Sequence, residues 1–477
     1  MRKRNSKKLV KLDISSCFDS IYTHSLPWST LGREVAKENL KYLAPTFGGK
    51  FDTLMQVMNR GETNGIVTGP EFSRIFAEII LQDVDIDLEN ILFRNYGINN
   101  RIEYEIFRYV DDYFLFCNDD SIISNIKNHL SEILKTMKLN LSAEKLEVYE
   151  RPIITSLTIA KNRISECLES RISTKFEIRE VSDTGENVKH FSVRVQGKTL
   201  ITDFKASIKN SDVRYKDVLN YTLAAVERRI NYIFRNFKKN HKEFRDDKEL
   251  VRSLIALLGF AMFIYAAQPR VNFTVRLTRI VSTIVDKLHE LLIPRDLKDH
   301  VFKYIFDNIS RHVRHTPRDR FHEMETLYLL LALSKLGRNY RIPEEKVADF
   351  LGIEKDQNGR YFTERRMTYF AISVCLLYIR SKNKYSQLRD FLEHEIRRKF
   401  SERKAYWKSD AELIIAALDL QCCPYISNNL KVELAKLYDI QIARVPLLSR
   451  DTPYWFTNWD NFDLSRELDK KRAREVY

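Results

Sequence analysis

The chain contains 477 residues, of which 44% are hydrophobic, so its composition excludes a wholly disordered protein and allows two or three domains. Lysine and arginine total 79 against 65 acidic residues, which gives a net charge of +14. This excess of positive charge favours a polyanionic partner. Only 13 glycines and 11 prolines occur, and so few turn-forming residues predict a chain rich in helix.

Cysteine usage and hydropathy indicate the cellular setting. The six cysteines form no C-x-x-C pair and have no histidine at metal-binding spacing, so we expect reduced, buried thiols in the cytoplasm. The longest apolar run, Leu254 to Ala267, is shorter than the roughly 20 residues of a membrane span, and no apolar signal segment begins the chain. The sequence therefore predicts a buried helix over this run and no membrane partner.

The first predicted element is a short apolar strand that ends at Asp13. Twelve residues precede Asp13. The first eight carry the basic side chains Arg2, Lys3, Arg4, Lys7 and Lys8, which favour a solvated end of the chain.

A loop from Asn64 to Arg74 follows and leads into an amphipathic run from Ile75 to Val84. Gly65 and Gly69 suit a loop whose backbone approaches a ligand closely. Ser73 has a side chain that can cap the helix after it.

Two adjacent carboxylates, Asp111 and Asp112, stand between two runs of aromatic and β-branched residues, a pattern that predicts a β-hairpin with acid at its turn. Unpaired carboxylates amid apolar surface favour a bound cation. Asp13 and Asp111 are the predicted bridging ligands of two Mg²⁺ ions, with Mn²⁺ as the alternative metal. Asp112 shares the site only through the turn geometry, because successive strand side chains point to opposite faces. The competing interpretation is a solvated hairpin turn.

Beyond Ser156 the pattern changes. Alternating polar and apolar residues from Ser173 to Thr202 predict a β-hairpin within a connector of residues 161–210. Amphipathic helical runs fill residues 211–477, and their spacing of about 45 residues per pair lies in the range of HEAT-like repeats, with an irregular helical bundle as the alternative.

One of these runs carries basic residues interleaved with the aromatic residues Tyr232, Phe234 and Phe237, which predicts a groove for single-stranded DNA. The basic residues are Arg228, Arg229, Arg235, Lys238 and Lys239. The alternative is a solvated basic face over core aromatics.

The ordered blocks resemble the palm of reverse transcriptases. The segment from Asp13 to Ile21 is similar to the first catalytic block of that family, and Tyr109 to Asp112 is similar to its YxDD block. The loop from Asn64 to Arg74 is similar to the loop that precedes a palm helix, and the segment from Leu139 to Lys145 resembles the fourth block.

The resemblance implies an α+β fold, with an antiparallel palm sheet and helices over residues 1–160 and fingers largely absent. Polymerases of this kind hold the triphosphate with fingers that precede the first catalytic Asp, and the twelve residues before Asp13 are too few to build them. The resemblance therefore implies triphosphate contacts from sequence upstream of this chain or from elsewhere, including a second subunit. It implies that Asp13, Asp111 and Asp112 hold the metals and that Lys145 protonates the departing pyrophosphate as a general acid. The implied dNTP-binding residues are Phe18, Thr68, Gly69 and Ser73, with Phe18 under the sugar as the side chain that excludes a 2′-hydroxyl.

One departure from the family pattern concerns the template. Val67 and Thr68 stand where the family usually has Pro and Gln, and that Gln helps to position the incoming nucleotide against a templating base. Its absence puts ordinary templated copying in doubt.

Two further segments, Ser20 to Trp28 and Gly69 to Leu81, resemble the bacterial abortive-infection (Abi) polymerases, the AbiK-like defence-associated reverse transcriptases. This implies template-independent, protein-primed DNA synthesis from dNTPs in anti-phage defence, single-stranded DNA attached covalently to the protein, a homo-oligomer and an all-helical HEAT-like C-terminal domain. Two alternatives stay open: an RNA-templated reverse transcriptase of a retron-like or other defence system, and a catalytically silent palm that acts as a scaffold.

Overall fold

The computed structural model describes residues 7–142, 144–151, 154–314, 324–407, 409–441, 452 and 454–474. Arg2, Lys3 and Arg4 of the basic tail and Ala143 of the fourth block lie outside this range. The chain divides into two compact units, residues 1–155 and 156–477. With 63% helix and small antiparallel sheets, the fold is α+β.

A four-stranded antiparallel sheet organises the first unit, in the strand order β2-β3-β1-β4. The strands are β1 (Lys8–Asp13), β2 (Tyr104–Tyr109), β3 (Asp112–Cys117) and β4 (Glu147–Glu150). The helices are α1 (Cys17–Ser20), α2 (Ser25–Leu31), α3 (Arg33–Glu38), α4 (Phe47–Met58), α5 (Glu71–Tyr96) and α6 (Asp120–Thr136), and a 3₁₀ turn spans Leu40–Tyr42.

Alternation along the central strands separates a core face from an open face of this sheet. Val10 and Leu12 of β1 and Tyr113 and Leu115 of β3 are buried in the same core as α5 and α6. The intervening residues, which include Asp13 and Asp112, lie on the opposite face. The two-residue period of a strand therefore places the predicted carboxylates away from the helices that cover the core.

The second unit is mainly helical. Its helices are α7 (Ser156–Arg171), α8 (Gly197–Lys209), α9 (Tyr215–Phe237), α10 (Asp247–Ala267), α11 (Val271–Glu290), α12 (Arg295–Arg314), α13 (Met324–Lys335), α14 (Glu344–Phe350), α15 (Tyr369–Ile379), α16 (Ser386–Glu402), α17 (Ala411–Gln421), α18 (Asn428–Leu437) and α19 (Leu464–Arg474). Short 3₁₀ turns span Lys242–Phe244, Arg338–Tyr340, Asn383–Tyr385 and Lys404–Tyr406. Its strands are β5 (Ile172–Glu180), β6 (Asn187–Val195), β7 (Glu354–Lys355) and β8 (Tyr361–Phe362).

The predicted hairpin of this unit is shorter than the alternation in the sequence indicates. β5 and β6 pair from Ile172 opposite Val195 to Glu180 opposite Asn187, and the residues from Gly197 onward form α8. Residues 161–171 belong to α7, so the region 161–210 contains two helices as well as the hairpin. The two-residue strands β7 and β8 also interrupt the region predicted to be all helical.

The helices of the second unit pack in two series. α9 contacts α11, α11 contacts α13 and α13 contacts α15, while α8 contacts α10 and α10 contacts α12. Helix α10 is long and apolar enough to cross a membrane by length and composition, and 56% of its most apolar window is buried inside the structure. Its contacts with α9, α11, α12 and β6 are those of a core helix.

Candidate active site

The β2–β3 hairpin brings the predicted carboxylates together. Tyr109 pairs with Asp112, so Val110 and Asp111 form a two-residue turn. Asp112, the first residue of β3, lies directly opposite Asp13, the last residue of β1. The N–H of Ile14 donates to the Asp111 carbonyl oxygen at 3.2 Å, which fixes the turn beside the end of β1.

Lys145 reaches the same place from a distant part of the chain. Its ammonium Nζ donates to Asp13 Oδ2 at 2.8 Å, and the Asp13 side chain is 9% exposed. The segment that carries Lys145 is held against β1, because the N–H of Ser142 donates to the Asp13 carbonyl at 2.8 Å and Leu141 forms a bridge with Ile14. Backbone pairing therefore places this lysine, whose side chain is 65% exposed, at the carboxylates.

These four charged groups influence one another. Partial burial of the Asp112 carboxyl and the negative charges of Asp111 and Asp13 raise the pKa of Asp112. The hydrogen bond to Asp13, with the charges of Asp13, Asp111 and Asp112, raises the pKa of Lys145. Lys145 is therefore a cation at neutral pH and faces a concentration of negative charge that a divalent cation would relieve.

Asp13, Asp111 and Asp112 supply the hard oxygen atoms that Mg²⁺ prefers. Among the described residues, no three His, Cys, Asp or Glu side chains are already arranged as a metal cage. Mg²⁺ is commonly held by one or two carboxylates together with substrate phosphates, so a site of this kind is completed by the nucleotide. The donor set therefore fits Mg²⁺ bound together with a triphosphate.

Arg108 is a site residue that the sequence did not reveal. Its guanidinium, 7% exposed, donates to Glu78 at 2.8 and 2.9 Å and to Asp85 at 2.8 Å, both on α5. It also donates to the Val110 carbonyl at 3.1 Å. The Tyr113 hydroxyl donates to Asp85 at 2.9 Å. Arg108 thus connects the turn at Val110 and Asp111 to α5. The only signal for this role in the sequence is an arginine on the core face of an apolar strand.

The hydrogen bond from Arg108 restrains a turn whose backbone is strained at Val110. Val110 has a φ of 57°, a left-handed conformation that is a genuine outlier for a β-branched residue and costs about 1 to 3 kcal/mol. Strained backbone persists where its surroundings over-determine it. The hydrogen bond from Arg108 to the Val110 carbonyl is one such restraint.

The loop before α5 docks on α1. The N–H of Ile66 donates to the Phe18 carbonyl at 2.9 Å, and the N–H of Gly65 donates to the Ile21 carbonyl at 2.8 Å. Phe18 is half-buried against the core of the first unit. Phe18 lies five residues after Asp13, the last residue of β1, and these hydrogen bonds hold the loop against it.

Gly65→Ala tests whether this docking needs a glycine. Gly65 has a φ of 82°, and an added Cβ would lie 3.1 Å from the Asp19 carbonyl oxygen. We expect a loss of about 1 to 2 kcal/mol of unfolding free energy, measured by urea denaturation. Gly61→Ala is the matched control, because Gly61 has a φ of 85° and nothing within 4 Å of its Cβ position. Equal losses in both variants would contradict a specific close approach at Gly65.

The remaining loop residues have different environments. Thr68 and Gly69 are exposed, and Gly69 has a φ of 118° with open space around its Cβ position. The prediction that Ser73 caps the following helix is wrong, because α5 begins at Glu71 after Pro70. Ser73 is 0% exposed inside the first turns of α5, and its buried Oγ has no hydrogen-bond partner among the described residues. This burial gives Ser73 no surface for direct contact with a nucleotide.

The predicted basic residues of the second unit line a groove. A cavity of about 960 Å³ is bordered by residues of α9 and by the end of α11. Those from α9 and the turn after it include Arg228, Tyr232, Arg235, Lys238 and Lys239. Arg229 lines an adjacent cavity of about 310 Å³ that shares Arg228 and Tyr232.

Charge in this groove is only partly balanced. Lys238 pairs with Glu290 at 2.6 Å, and Arg229 pairs with Glu169 at 3.0 Å. Arg235 and Lys239 form no ion pair within the described part of the chain. Phe234 and Phe237 are each 3% exposed and belong to the core, whereas Tyr232 is 38% exposed. Tyr232 is therefore the member of the predicted aromatic set that has substantial exposed surface for stacking.

The first unit has the features that the sequence predicts for a palm. They are an antiparallel sheet, carboxylates opposed at the ends of two neighbouring strands, a nearby lysine and an aromatic residue on the helix that follows β1. Residues 1–178 match the family described as reverse transcriptase (RNA-dependent DNA polymerase). The match supports a nucleotidyltransferase of the reverse-transcriptase type in this part of the chain. No curated protein matches the chain.

Proposed function

We propose that the chain is a DNA polymerase of the reverse-transcriptase type that joins deoxynucleotides by two-metal nucleotidyl transfer. The observation that carries the proposal is the register that sets Asp13 opposite Asp112, with Asp111 in the adjoining turn and Lys145 on Asp13. When bound, two Mg²⁺ ions would activate the attacking oxygen and stabilise the leaving pyrophosphate. Asp13, Asp111 and Asp112 would hold them.

The chain's own residues supply the rest of the chemistry. Lys145 carries a proton at neutral pH, and its largely exposed side chain is the group that would donate a proton to the leaving pyrophosphate oxygen. Phe18 would contact the sugar and disfavour a 2′-hydroxyl. Thr68 and Gly69 are exposed for contact with the nucleotide.

A narrower proposal concerns template and primer. The resemblance to Abi polymerases, with Val67 and Thr68 in place of the template-positioning residues, supports synthesis without a template from a protein hydroxyl, in the bacterial cytoplasm and in defence against phage. A homo-oligomer follows from the same resemblance. The packing of alternate helices, α9 on α11 on α13 and α10 on α12, supports a HEAT-like arrangement of the second unit.

One experiment distinguishes protein-primed synthesis, RNA-templated synthesis and a scaffold role. Purified protein is incubated with Mg²⁺ and each labelled dNTP, first without nucleic acid and then with an RNA template. Labelled DNA that remains attached to the protein after denaturation supports protein-primed synthesis. Product formed only with an added RNA template would replace that reading by an RNA-templated enzyme. No product under either condition would favour a scaffold.

Metal binding has a readout that is independent of activity. In buffer without divalent cations, Asp112→Asn is expected to raise the melting temperature, because it removes one of three mutually repelling carboxylates. Mg²⁺ added with a non-hydrolysable dNTP analogue is expected to stabilise the wild type more than Asp112→Asn. Differential scanning fluorimetry measures both shifts. Equal stabilisation of the two proteins would contradict metal binding at Asp112.

The basic groove is proposed to bind single-stranded DNA product. Arg235→Gln with Lys239→Gln is expected to weaken binding of a labelled oligonucleotide by about 25-fold at 0.1 M salt, because each lost phosphate contact removes about 0.7 from the salt-dependence exponent. Fluorescence anisotropy measures the affinity. Lys198→Gln with Lys209→Gln, two exposed lysines of α8, is the matched control. Equal affinities of the two double variants would contradict the groove assignment.

A further inference from the structure

A second basic surface lies far along the chain from the α9 groove and was not anticipated from the sequence. We name it the corner cluster, because its residues lie around the turns between α13 and α14 and between α15 and α16. Its members are Arg338, Arg341, Arg380, Lys382, Lys384 and Arg389.

Two buried tyrosines hold the cluster together. The Arg341 guanidinium lies 4.8 Å from the centre of the Tyr378 ring and donates to the Tyr378 carbonyl at 2.6 Å. Lys384 Nζ lies 4.9 Å from the centre of the Tyr385 ring. The hydroxyls of the two tyrosines are fixed by the backbone of Ile342, at 3.0 and 2.7 Å. Arg341 and Lys384 therefore lie over the rings of two buried, hydrogen-bonded tyrosines.

The charge of the cluster is not balanced by acids. None of its six cations forms an ion pair with a carboxylate within the residues that the structure describes. Burial and the charges of Arg341, Lys384, Arg380 and Arg338 lower the pKa of Lys382, which shows that the cations repel one another. The neighbouring carboxylate of Glu344 accepts the N–H of Leu388 at 2.8 Å.

Helix ends account for only a small part of this charge. The C-termini of α13 and α15 both end at the cluster, and each supplies about half a negative charge. Their sum, about one negative charge, is far below the six positive charges present. A role limited to capping two helices would therefore not need a cluster of this size.

Geometry at the cluster separates its buried groups from its accessible ones. Arg380 has φ 51° and ψ −149°, a conformation that favours glycine, yet an exposed arginine occupies it. The Nε atoms of Arg341 and Arg389 are buried and have no hydrogen-bond partner in the described chain. Because those Nε atoms are buried, an external anion would contact the exposed side chains of Arg338, Arg380 and Lys384 first.

We propose that the corner cluster binds the phosphate backbone of a single nucleic-acid strand. Guanidinium and ammonium groups recognise phosphate oxygens through charge-assisted hydrogen bonds, and six cations around two neighbouring turns provide contacts to several successive phosphates. The site lies outside the predicted set on α9 and requires neither the palm carboxylates nor a metal.

Binding of a labelled 30-nucleotide single strand, without dNTPs or divalent cations, tests this site independently of catalysis. All proteins in this test carry Arg235→Gln with Lys239→Gln, so that the α9 groove does not mask the result. The test variant adds Arg338→Gln with Lys384→Gln, because both side chains are exposed. We expect affinity to fall by about 25-fold at 0.1 M salt and the salt-dependence exponent to fall by about 1.4. Arg338→Lys with Lys384→Arg keeps both charges and is expected to bind nearly as the parent with Arg235→Gln and Lys239→Gln does.

The control is Lys198→Gln with Lys209→Gln, which removes the same charge from α8. An affinity and exponent for Arg338→Gln with Lys384→Gln equal to those of this control would overturn the proposal. Displacement of the strand by tripolyphosphate at equal phosphate concentration, from the parent with Arg235→Gln and Lys239→Gln, would assign the site to small anions instead. Equal displacement by polyglutamate at matched charge would assign it to an acidic protein partner, and either result overturns strand recognition.

Discussion

Asp13→Asn is expected to reduce nucleotide incorporation by about 10³-fold or more, because the amide lacks the charge that holds a divalent cation. Metal stabilisation of the transition state contributes several kcal/mol, and each 1.36 kcal/mol is tenfold in rate. The measurement is the initial rate of labelled dNTP incorporation at saturating Mg²⁺. Because Asn keeps the shape of Asp, and Asp13 faces the like charges of Asp111 and Asp112, the variant is expected to fold.

Asp87→Asn is the matched control for this substitution. Asp87 is exposed on α5, outside the predicted site residues, and the change removes the same charge. The control is expected to incorporate dNTPs at the wild-type rate. A wild-type rate in Asp13→Asn, with both variants folded by circular dichroism, would contradict the metal-ligand role of Asp13.

Arg108→Gln is expected to destabilise the first unit and to slow incorporation. The guanidinium is nearly buried between Glu78 and Asp85, so its loss leaves two acids unpaired and one carbonyl without its donor. Breaking a buried pair costs about 3 to 5 kcal/mol, and because Glu78 and Asp85 are 46% and 32% exposed, a value near the lower limit is expected. Urea denaturation measures this loss.

A positioning role for Arg108 has a kinetic signature. Arg108→Lys restores a charge without the planar fork, so we expect it to recover part of the stability while kcat stays low and KM for dNTP changes little. Arg94→Gln, at an exposed position of α5, controls for charge loss. Recovery of full kcat in Arg108→Lys would show that Arg108 acts through charge alone and not by fixing the Val110 turn.

The carboxylates and their hairpin could be predicted from sequence because chemistry and local pattern agree there. Asp111 follows one strand-forming run and Asp112 begins the next, and a two-residue turn is the shortest that joins them. The placement of Asp112 was the uncertain point. Strand alternation within β3 does not determine its neighbour on β1, whereas the register sets it opposite Asp13.

Contacts between residues that are far apart in the sequence could not be predicted from local patterns. Arg108 pairs with Glu78 and Asp85, which are 30 and 23 residues away, and only packing of α5 on the sheet brings them together. Ser73 has the residue type of a cap, but the helix begins two residues before it, so its side chain faces the core. The corner cluster brings Arg338 near enough to Lys384 for its charge to lower the pKa of that lysine, and no spacing rule indicates this proximity.

Incorporation of labelled dNTPs by the wild type and by Asp111→Asn, each with and without an RNA template and with Mg²⁺ or EDTA, tests the central claim most directly. We predict Mg²⁺-dependent DNA product from the wild type under at least one template condition and none from Asp111→Asn. Product from both proteins at equal rates, or none from folded wild-type protein under any condition, would contradict a DNA-synthesis site at Asp13, Asp111 and Asp112.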